Sequence, residues 1–391
     1  MEILKIKKSW KFYGVTMINK ILLISLSLFV NVCVANEYWT TINTDSNKLR
    51  CADGTSYNFH YKKGNENLLI FFNGGGACWD FDSCNSIDKD KYQLNTYEEN
   101  SNLPYNQPNY WGGLLDFKNN NNNIKDWSVL NLPYCTGDLF LGNKNTIYKK
   151  NNKEIQIFHH GKNNLNYALE WLKSNDSRHF QKKLIVGSSA GGYGAILNSN
   201  YVNKVIPSNQ TYVFFDASDG VVSKTFEDKV FSRNSVWGYK PTSTKRNDYI
   251  INRYNQIISS NPHIKYGSFT TSSDIMQILF FNIMNNSPNN WLNISNESIK
   301  DWQYKSSENQ KFLLNNRNYF TYIQDDCIHS GLRYNDSFYN SDKISFNIWF
   351  QDFLNDNNYS KGSEYLFRKT FFTEEERNKC IFRAVNSVKR G

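Results

Sequence analysis

Leu184-Ile185-Val186-Gly187-Ser188-Ser189-Ala190-Gly191-Gly192 decides how this chain is read. A short apolar run enters G-x-S-x-G, and a small-residue segment able to begin a helix follows. A nucleophile elbow requires this strand–turn–helix context, with one serine on a strained turn and its Oγ exposed above the C-terminal edge of a parallel sheet. The glycines fit because a Cβ there would collide with the neighbouring strand or helix. Ser189 holds the central position and is the candidate nucleophile; Ser188 is the spacer. A Gly/Ser-rich turn without chemistry would match the same short motif, so the rest of the chain must supply the context.

Working outward, Leu68-Leu69-Ile70-Phe71-Phe72 is a continuous apolar run, the mark of a strand buried on both faces. It ends in Asn73-Gly74-Gly75-Gly76-Ala77. Ser56–Tyr61 alternates as a strand, Ser128–Leu132 reads as another, and Tyr212–Phe215 is a buried strand closing at Asp216. Strand signals return at Lys265–Thr271 and Tyr319–Ile323. Leu165, Leu169 and Leu172 stand at helical spacing between Asn163 and Lys173. Ile344–Leu354 reads as an amphipathic helix with Phe346, Trp349, Phe350 and Phe353 inward. This alternation predicts an α/β fold: α/β-hydrolase-like, with a mostly parallel central sheet and helices on both faces. A helical or irregular insertion over about 226–264 reads as a cap. With no internal repeat and no linker, residues 36–391 read as a single catalytic domain.

Residues 1–35 read as a secretory signal peptide. Lys5, Lys7, Lys8, Lys11 and Lys20 precede the apolar run Ile21–Val30, and small residues lead to Ala35. Met17 to Ala35 is a complete signal by itself, so either Met1 or Met17 serves as the start. The apolar run is short for a bilayer span, so no stable membrane anchor is expected after cleavage. The formal charge of +9 includes five Lys and one Glu in this segment, leaving about +5 beyond it. That balance is mild, and no basic run points to nucleic acid. Beyond Cys33 stand six cysteines, Cys51, Cys78, Cys84, Cys135, Cys327 and Cys380. An even number in an exported chain reads as disulfides. Proximity suggests only Cys78–Cys84, and no C-x-x-C pair of a zinc site is present, so neither metal nor cofactor is expected. The expected location is periplasmic or extracellular.

A serine hydrolase needs a base, an orienting carboxylate and an oxyanion hole. In the α/β-hydrolase order the acid and then the histidine follow the serine. Two histidines lie after Ser189, His263 and His329. His329 stands just past the last strand, where the fold presents its base; His263 precedes a strand, at the wrong edge. His159 and His160 precede the elbow and read as packing or capping residues. The acid should come from another strand end than the base, which disfavours Asp325 and Asp326. Asp274, after the Lys265–Thr271 strand, meets that condition, and Asp216 and Asp219 form a second possibility. For the oxyanion, the Ala190 amide follows the nucleophile and the Gly74-Gly75-Gly76 turn offers further donors. A phosphate cradle is the rival reading of that turn, but its lysine and spacing are missing.

Four segments in this order resemble the pectin acetylesterase/Notum family of carboxylesterases: Asn73–Trp79, Leu132–Asp138, Gly187–Gly192 and Cys327-Ile328-His329. The likeness runs from about Cys51 to Cys380. It implies Ser189 as nucleophile, Asp274 as acid, His329 as base, and Gly75, Gly76 and Ala190 as oxyanion donors. It also implies the pairs Cys51–Cys135, Cys78–Cys84 and Cys327–Cys380. A tryptophan that members often carry beside the glycine turn is replaced here, with Ala77 before the cysteine and Trp79 after it. The resemblance thus implies an exported serine carboxylesterase that removes O-acyl groups, acetyl above all, from a polysaccharide such as pectin. The alternatives are a deacylase for a longer fatty acyl ester and a non-catalytic carbohydrate- or partner-binding protein on the same fold.

Overall fold

The computed structural model describes residues 39–382, apart from 46–47, 86–96, 243–247, 287–293, 340–344, 368–372, 374 and 377. The signal-peptide reading of 1–35 therefore lies outside the described residues. The chain runs β1 (Thr40–Asn43), β2 (Asn58–Lys62), β3 (Leu68–Phe72), the one-turn helix α1 (Phe81–Cys84) and β4 (Ser128–Leu132). A hairpin of β5 (Lys144–Lys150) and β6 (Lys153–His159) follows, then α2 (Gly161–Asn175), β7 (Phe180–Ser188) and α3 (Ala190–Val205). Next come β8 (Ser208–Asp216), α4 (Lys224–Val230), α5 (Tyr249–Ser259), β9 (Lys265–Thr271) and α6 (Ile275–Asn285). The last elements are α7 (Asn296–Leu313), β10 (Tyr319–Gln324), α8 (Asn335–Tyr339) and α9 (Phe346–Leu354).

Eight strands form one sheet in the order β1-β2-β4-β3-β7-β8-β9-β10, and β5 pairs with β6 alone. The pairs from β4 through β10 are parallel; β1 and β2 join antiparallel at one edge. The α/β fold read from the sequence is the one that forms. A parallel sheet covered on both faces needs apolar side chains at every position, alternating between two cores. Ile70, Phe72, Ile185, Val213 and Phe215 enter one core, where α2, α3 and α5 cover the sheet. Leu69, Phe71, Leu184, Val186, Tyr212 and Phe214 enter the other. There α9 seats Phe346, Trp349, Phe350 and Phe353, the four positions its spacing turned inward. Each such side chain contributes roughly 1.5–3 kcal/mol by burial.

The stretch 226–264 sends Phe226, Val230, Trp237, Tyr254 and Ile257 into the same core as α2 and α3. The hairpin was not legible beforehand. It buries Thr146 and Tyr148 on one strand and Ile157 and His159 on the other, and of these Tyr148 and Ile157 pack with Cys78, Cys84 and Tyr97. Three disulfides join Cys51–Cys135, Cys78–Cys84 and Cys327–Cys380, the pairing the resemblance implied. Among the described residues no helix is long and apolar enough to cross a membrane.

Candidate active site

In an open α/β sheet, sites form outside the carboxyl ends of the strands. Here β3 leads into the glycine turn, β7 leads into Ser189, and β8 ends at Asp216. Asp274 follows β9, and His329 follows β10.

Ser189 has φ 57° and ψ −128°, outside the ordinary regions for a side-chain-bearing residue. Such a conformation costs on the order of 1–3 kcal/mol and must be held by its surroundings. Its amide donates to the Asp216 carbonyl at 2.8 Å, and the Ser218 hydroxyl donates to its carbonyl at 2.7 Å. The turn is also crowded. A Cβ on Gly187 would stand 2.1 Å from the Gly191 carbonyl oxygen, and one on Gly191 2.0 Å from that of Phe72. Ser188 is buried beneath and donates to Ser330 Oγ at 2.9 Å, as a spacer should.

His329 Nδ1 lies 2.9 Å from both carboxylate oxygens of Asp274. The His329 side chain is 18% exposed and that of Asp274 is fully buried. Asp274 caps α6: Oδ1 accepts from the amides of Met276 at 3.1 Å and Gln277 at 3.0 Å, while Oδ2 accepts from Gln277 Nε2 at 3.0 Å. Those bonds fix the carboxylate independently of the histidine.

The other acids left open by strand position go elsewhere. The Asp216 carboxylate accepts from the Ser330 hydroxyl and from the amides of Gly331 at 3.0 Å and Leu332 at 3.2 Å. Burial raises its pKa against those bonds and the nearby His329. Asp219 accepts from Thr270 Oγ1 at 2.5 Å, Ser306 Oγ at 2.9 Å and Gln310 Nε2 at 3.1 Å. Burial pushes its carboxyl up to about 7. Asp325 accepts from Ser272 Oγ and Asp326 from the Cys327 amide, and neither hydrogen-bonds His329. His263 is exposed ahead of β9, at the opposite sheet edge. His159 is buried on β6 between Tyr148 OH and the Thr136 carbonyl, both at 2.9 Å. His160 occupies the N-cap position of α2 without a side-chain capping bond.

Ser189 and His329 line one cleft together with Gly76, Ala77 and Ala190. Its far wall is apolar, built by Phe226, Met276, Phe280 and Met284. The cavity volume is about 50 Å³, and each water-sized group needs ~10–15 Å³, so it accepts a few heavy atoms. Gly75 does not line the cleft; its carbonyl accepts the Glu98 amide at 2.9 Å. Ala77 lines the cleft beside the turn, while Trp79 is buried edge-on against Phe226 at 5.0 Å.

Among the described residues, one grouping has metal-ligand proximity: Cys78, Cys84 and His159. Both sulfurs there are held in a disulfide, and both ring nitrogens of His159 are hydrogen-bonded. Sequence reasoning missed Gln277, the Ser188–Ser330–Asp216 chain and the cleft wall. The wall alone carried a signal, since Met276, Phe280 and Met284 recur at i, i+4 and i+8 on α6.

A model of the pectinacetylesterase family matches residues 35–236, just over half of the chain. The palmitoleoyl-protein carboxylesterase Notum of Schmidtea mediterranea is 30% identical over 162 residues, 39% of this chain and 28% of that protein. Pectin acetylesterase 4 of Arabidopsis thaliana is 24% identical over 165 residues, 41% of this chain and 38% of that one. The matched stretch thus spans about a third of the length of these curated relatives. The solved Wnt deacylase Notum from Drosophila superposes with a TM-score of 0.58 over 87% of this chain and 99% of its own, at 16% identity, a likeness of fold.

Proposed function

This chain belongs to the pectinacetylesterase family, and from that membership together with the site's geometry we propose that it is a serine carboxylesterase releasing short O-acyl groups from a polysaccharide. The observation that carries this is the contact of His329 Nδ1 with both Asp274 oxygens at 2.9 Å, in a cleft that His329 shares with Ser189.

In this mechanism Ser189 Oγ attacks the ester carbonyl carbon while its proton passes to Nε2 of His329. Asp274 holds the imidazole through Nδ1 and stabilises the imidazolium that forms. The tetrahedral oxyanion lies against the amides of Ala190, at the N-terminus of α3, and Gly76, with Gly75 completing the turn. Helix geometry leaves the first amides of α3 without intrahelical acceptors, so Ala190 has a donor to offer. Collapse breaks the ester C–O bond, and His329 returns the proton to the departing alcohol. Water, deprotonated by His329, then attacks the acyl-enzyme; collapse breaks the bond between the acyl carbon and Ser189 Oγ, His329 returns the proton to that oxygen, and the acid is freed.

The small cavity favours acetyl and similarly short acyl groups. The methionine- and phenylalanine-lined wall favours a second reading, a longer acyl chain admitted by repacking of Met276 and Met284. The disulfides and the signal-like segment support export, to the periplasm or outside the cell, with residues 36–391 acting as one catalytic domain. A purified sample assayed on 4-nitrophenyl esters from acetate to palmitate decides between these readings. Maximal kcat/KM at acetate to butyrate is expected. A maximum at octanoate or beyond establishes the longer-chain reading, and no hydrolysis of any ester removes the enzyme assignment.

A further inference from the structure

Behind Asp274, on the side away from His329, stand a glutamine and a second buried acid. Gln277, on the first turn of α6, donates from Nε2 to Asp274 Oδ2 at 3.0 Å and faces Asp219 Oδ2 at 3.4 Å. Its Oε1 accepts the Asp219 amide at 2.9 Å. That last bond decides which way the side-chain amide points. Turned over, Nε2 would oppose an N–H and Oε1 would oppose two carboxylate oxygens, so one orientation alone satisfies the network. Asp219 thereby aims the Gln277 donor at Asp274, whose two oxygens both reach His329 Nδ1 at 2.9 Å.

The turn that carries Asp219, between β8 and α4, is held in one shape. Ala217 has φ 52° and Gly220 φ 71°, and a residue with a Cβ keeps the former conformation only where its surroundings impose it. The Ala217 amide donates to the Phe269 carbonyl at 2.9 Å, and the Asp219 carbonyl accepts Asn309 Nδ2 at 2.9 Å. The Asp219 carboxylate draws its further donors, Thr270, Ser306 and Gln310, from β9 and α7, and all three are neutral. The titratable groups facing it are Asp274 ahead of α6, Tyr193 on α3, Tyr254 on α5 and Tyr319 on β10. None of these four supplies a positive charge. Burial raises the Asp219 carboxyl to about 7, and the charge of Asp274 adds to the rise, so the two acids sense one another.

We propose that Asp219 and Gln277 are positioning residues for the reaction: Asp219 sets the Gln277 amide, and Gln277 holds the Asp274 carboxylate on the line to His329. Oδ2 of Asp274 accepts from Gln277 Nε2 and His329 Nδ1. Losing the first leaves a buried carboxylate oxygen under-satisfied and free to turn off that line. This role rests on the reading of Ser189, His329 and Asp274 as an esterase triad, and names what keeps its acid in place.

The test exchanges Gln277, which is 8% exposed at the cleft. Gln277→Glu sets a third carboxylate beside two others. At pH 8, kcat on 4-nitrophenyl acetate is expected to fall about a hundredfold with KM little changed, the scale of a misplaced catalytic group. The deficit relative to wild type should narrow toward pH 5, because the new carboxyl, once protonated, donates to Asp274 as the amide did. Gln277→Met, of similar volume and without a donor, should lose about tenfold at every pH. Equal deficits for the two variants across the pH range overturn the proposal, since lost packing alone gives that result. So does wild-type kcat in either folded variant. In the wild-type protein, the side-chain amide signals of Gln277 in nitrogen-resolved NMR should follow the Asp219 titration, separate from that of the His329 ring and abolished by Asp219→Asn. Signals that stay still, or follow His329 alone, overturn the proposal even if no variant folds. Failure of the esterase reading appears separately, as no hydrolysis of 4-nitrophenyl esters by a wild-type protein whose Gln277 signals still follow Asp219.

Discussion

The amide of Ser189 donates to the main-chain carbonyl of Asp216 at 2.8 Å, and the carboxylate of that same aspartate holds the segment that follows His329. One residue thus ties the Ser189 turn to the loop that follows His329. Ser330 is its hinge: it has φ 79°, donates to Asp216 and accepts from Ser188.

Removing that hydroxyl should loosen the base without removing it. Ser330→Ala is expected to lower kcat on 4-nitrophenyl acetate by about tenfold, with KM nearly unchanged, since a small misplacement far from the reacting atoms can cost up to ~10²-fold. Steady-state kinetics and a melting curve check this. A rise in KM at constant kcat would assign Ser330 to substrate binding instead.

Asp274→Asn should lower kcat by orders of magnitude, up to about 10⁴-fold for a triad carboxylate, with little change in Tm. Asp326→Asn should stay within a few-fold of wild type, because its carboxylate accepts from the Cys327 amide and not from His329. Reversed effects would place the acid beside the base in sequence.

Cys327 stands two residues before His329 and is bonded to Cys380, 53 residues on. A bridge over a loop of this length contributes typically about 2–4 kcal/mol. Controlled reduction should therefore cut esterase activity before the far-ultraviolet circular dichroism changes. Simultaneous loss of both signals would show that the bridge does not position the base. Non-reducing peptide mapping should find no free Cys327.

Glu227, on α4, accepts the Ile250 amide at 3.3 Å, and burial pushes its carboxyl up to about 7. Below the ordinary carboxyl pKa both folded and unfolded chains hold this proton. As pH rises, the unfolded chain releases it first, so stability from this group is lost progressively up to and through pH about 7. Glu227→Gln keeps the acceptor and removes the titration. The variant should gain Tm relative to wild type between pH 5 and 8, and a constant difference across that range would refute the linkage.

How far the sequence alone reaches is clear from particular residues. β3, β7 and β8 are buried on both faces, so their apolar runs were visible, and the aromatic spacing of α9 marked its inward side. β1 and the β5–β6 hairpin escaped because their residues are mostly polar: no residue of β1 is buried, and the hairpin buries one face only. The elbow could be read because its geometry demands glycine. The acid could not be settled from strand position, since Asp216, Asp219 and Asp274 all follow strand ends. What separates them is the direction of each carboxylate: toward Ser330, toward Thr270 and Ser306, and toward His329.

The central claim is that Ser189, and not its neighbour, is the nucleophile. Mass spectrometry of the folded protein after treatment with a fluorophosphonate measures this most directly. The account predicts one phosphonylated site, Ser189, with labelling abolished in Ser189→Ala and retained in Ser188→Ala. Label on Ser188, or none on a protein whose melting curve shows it folded, would contradict it.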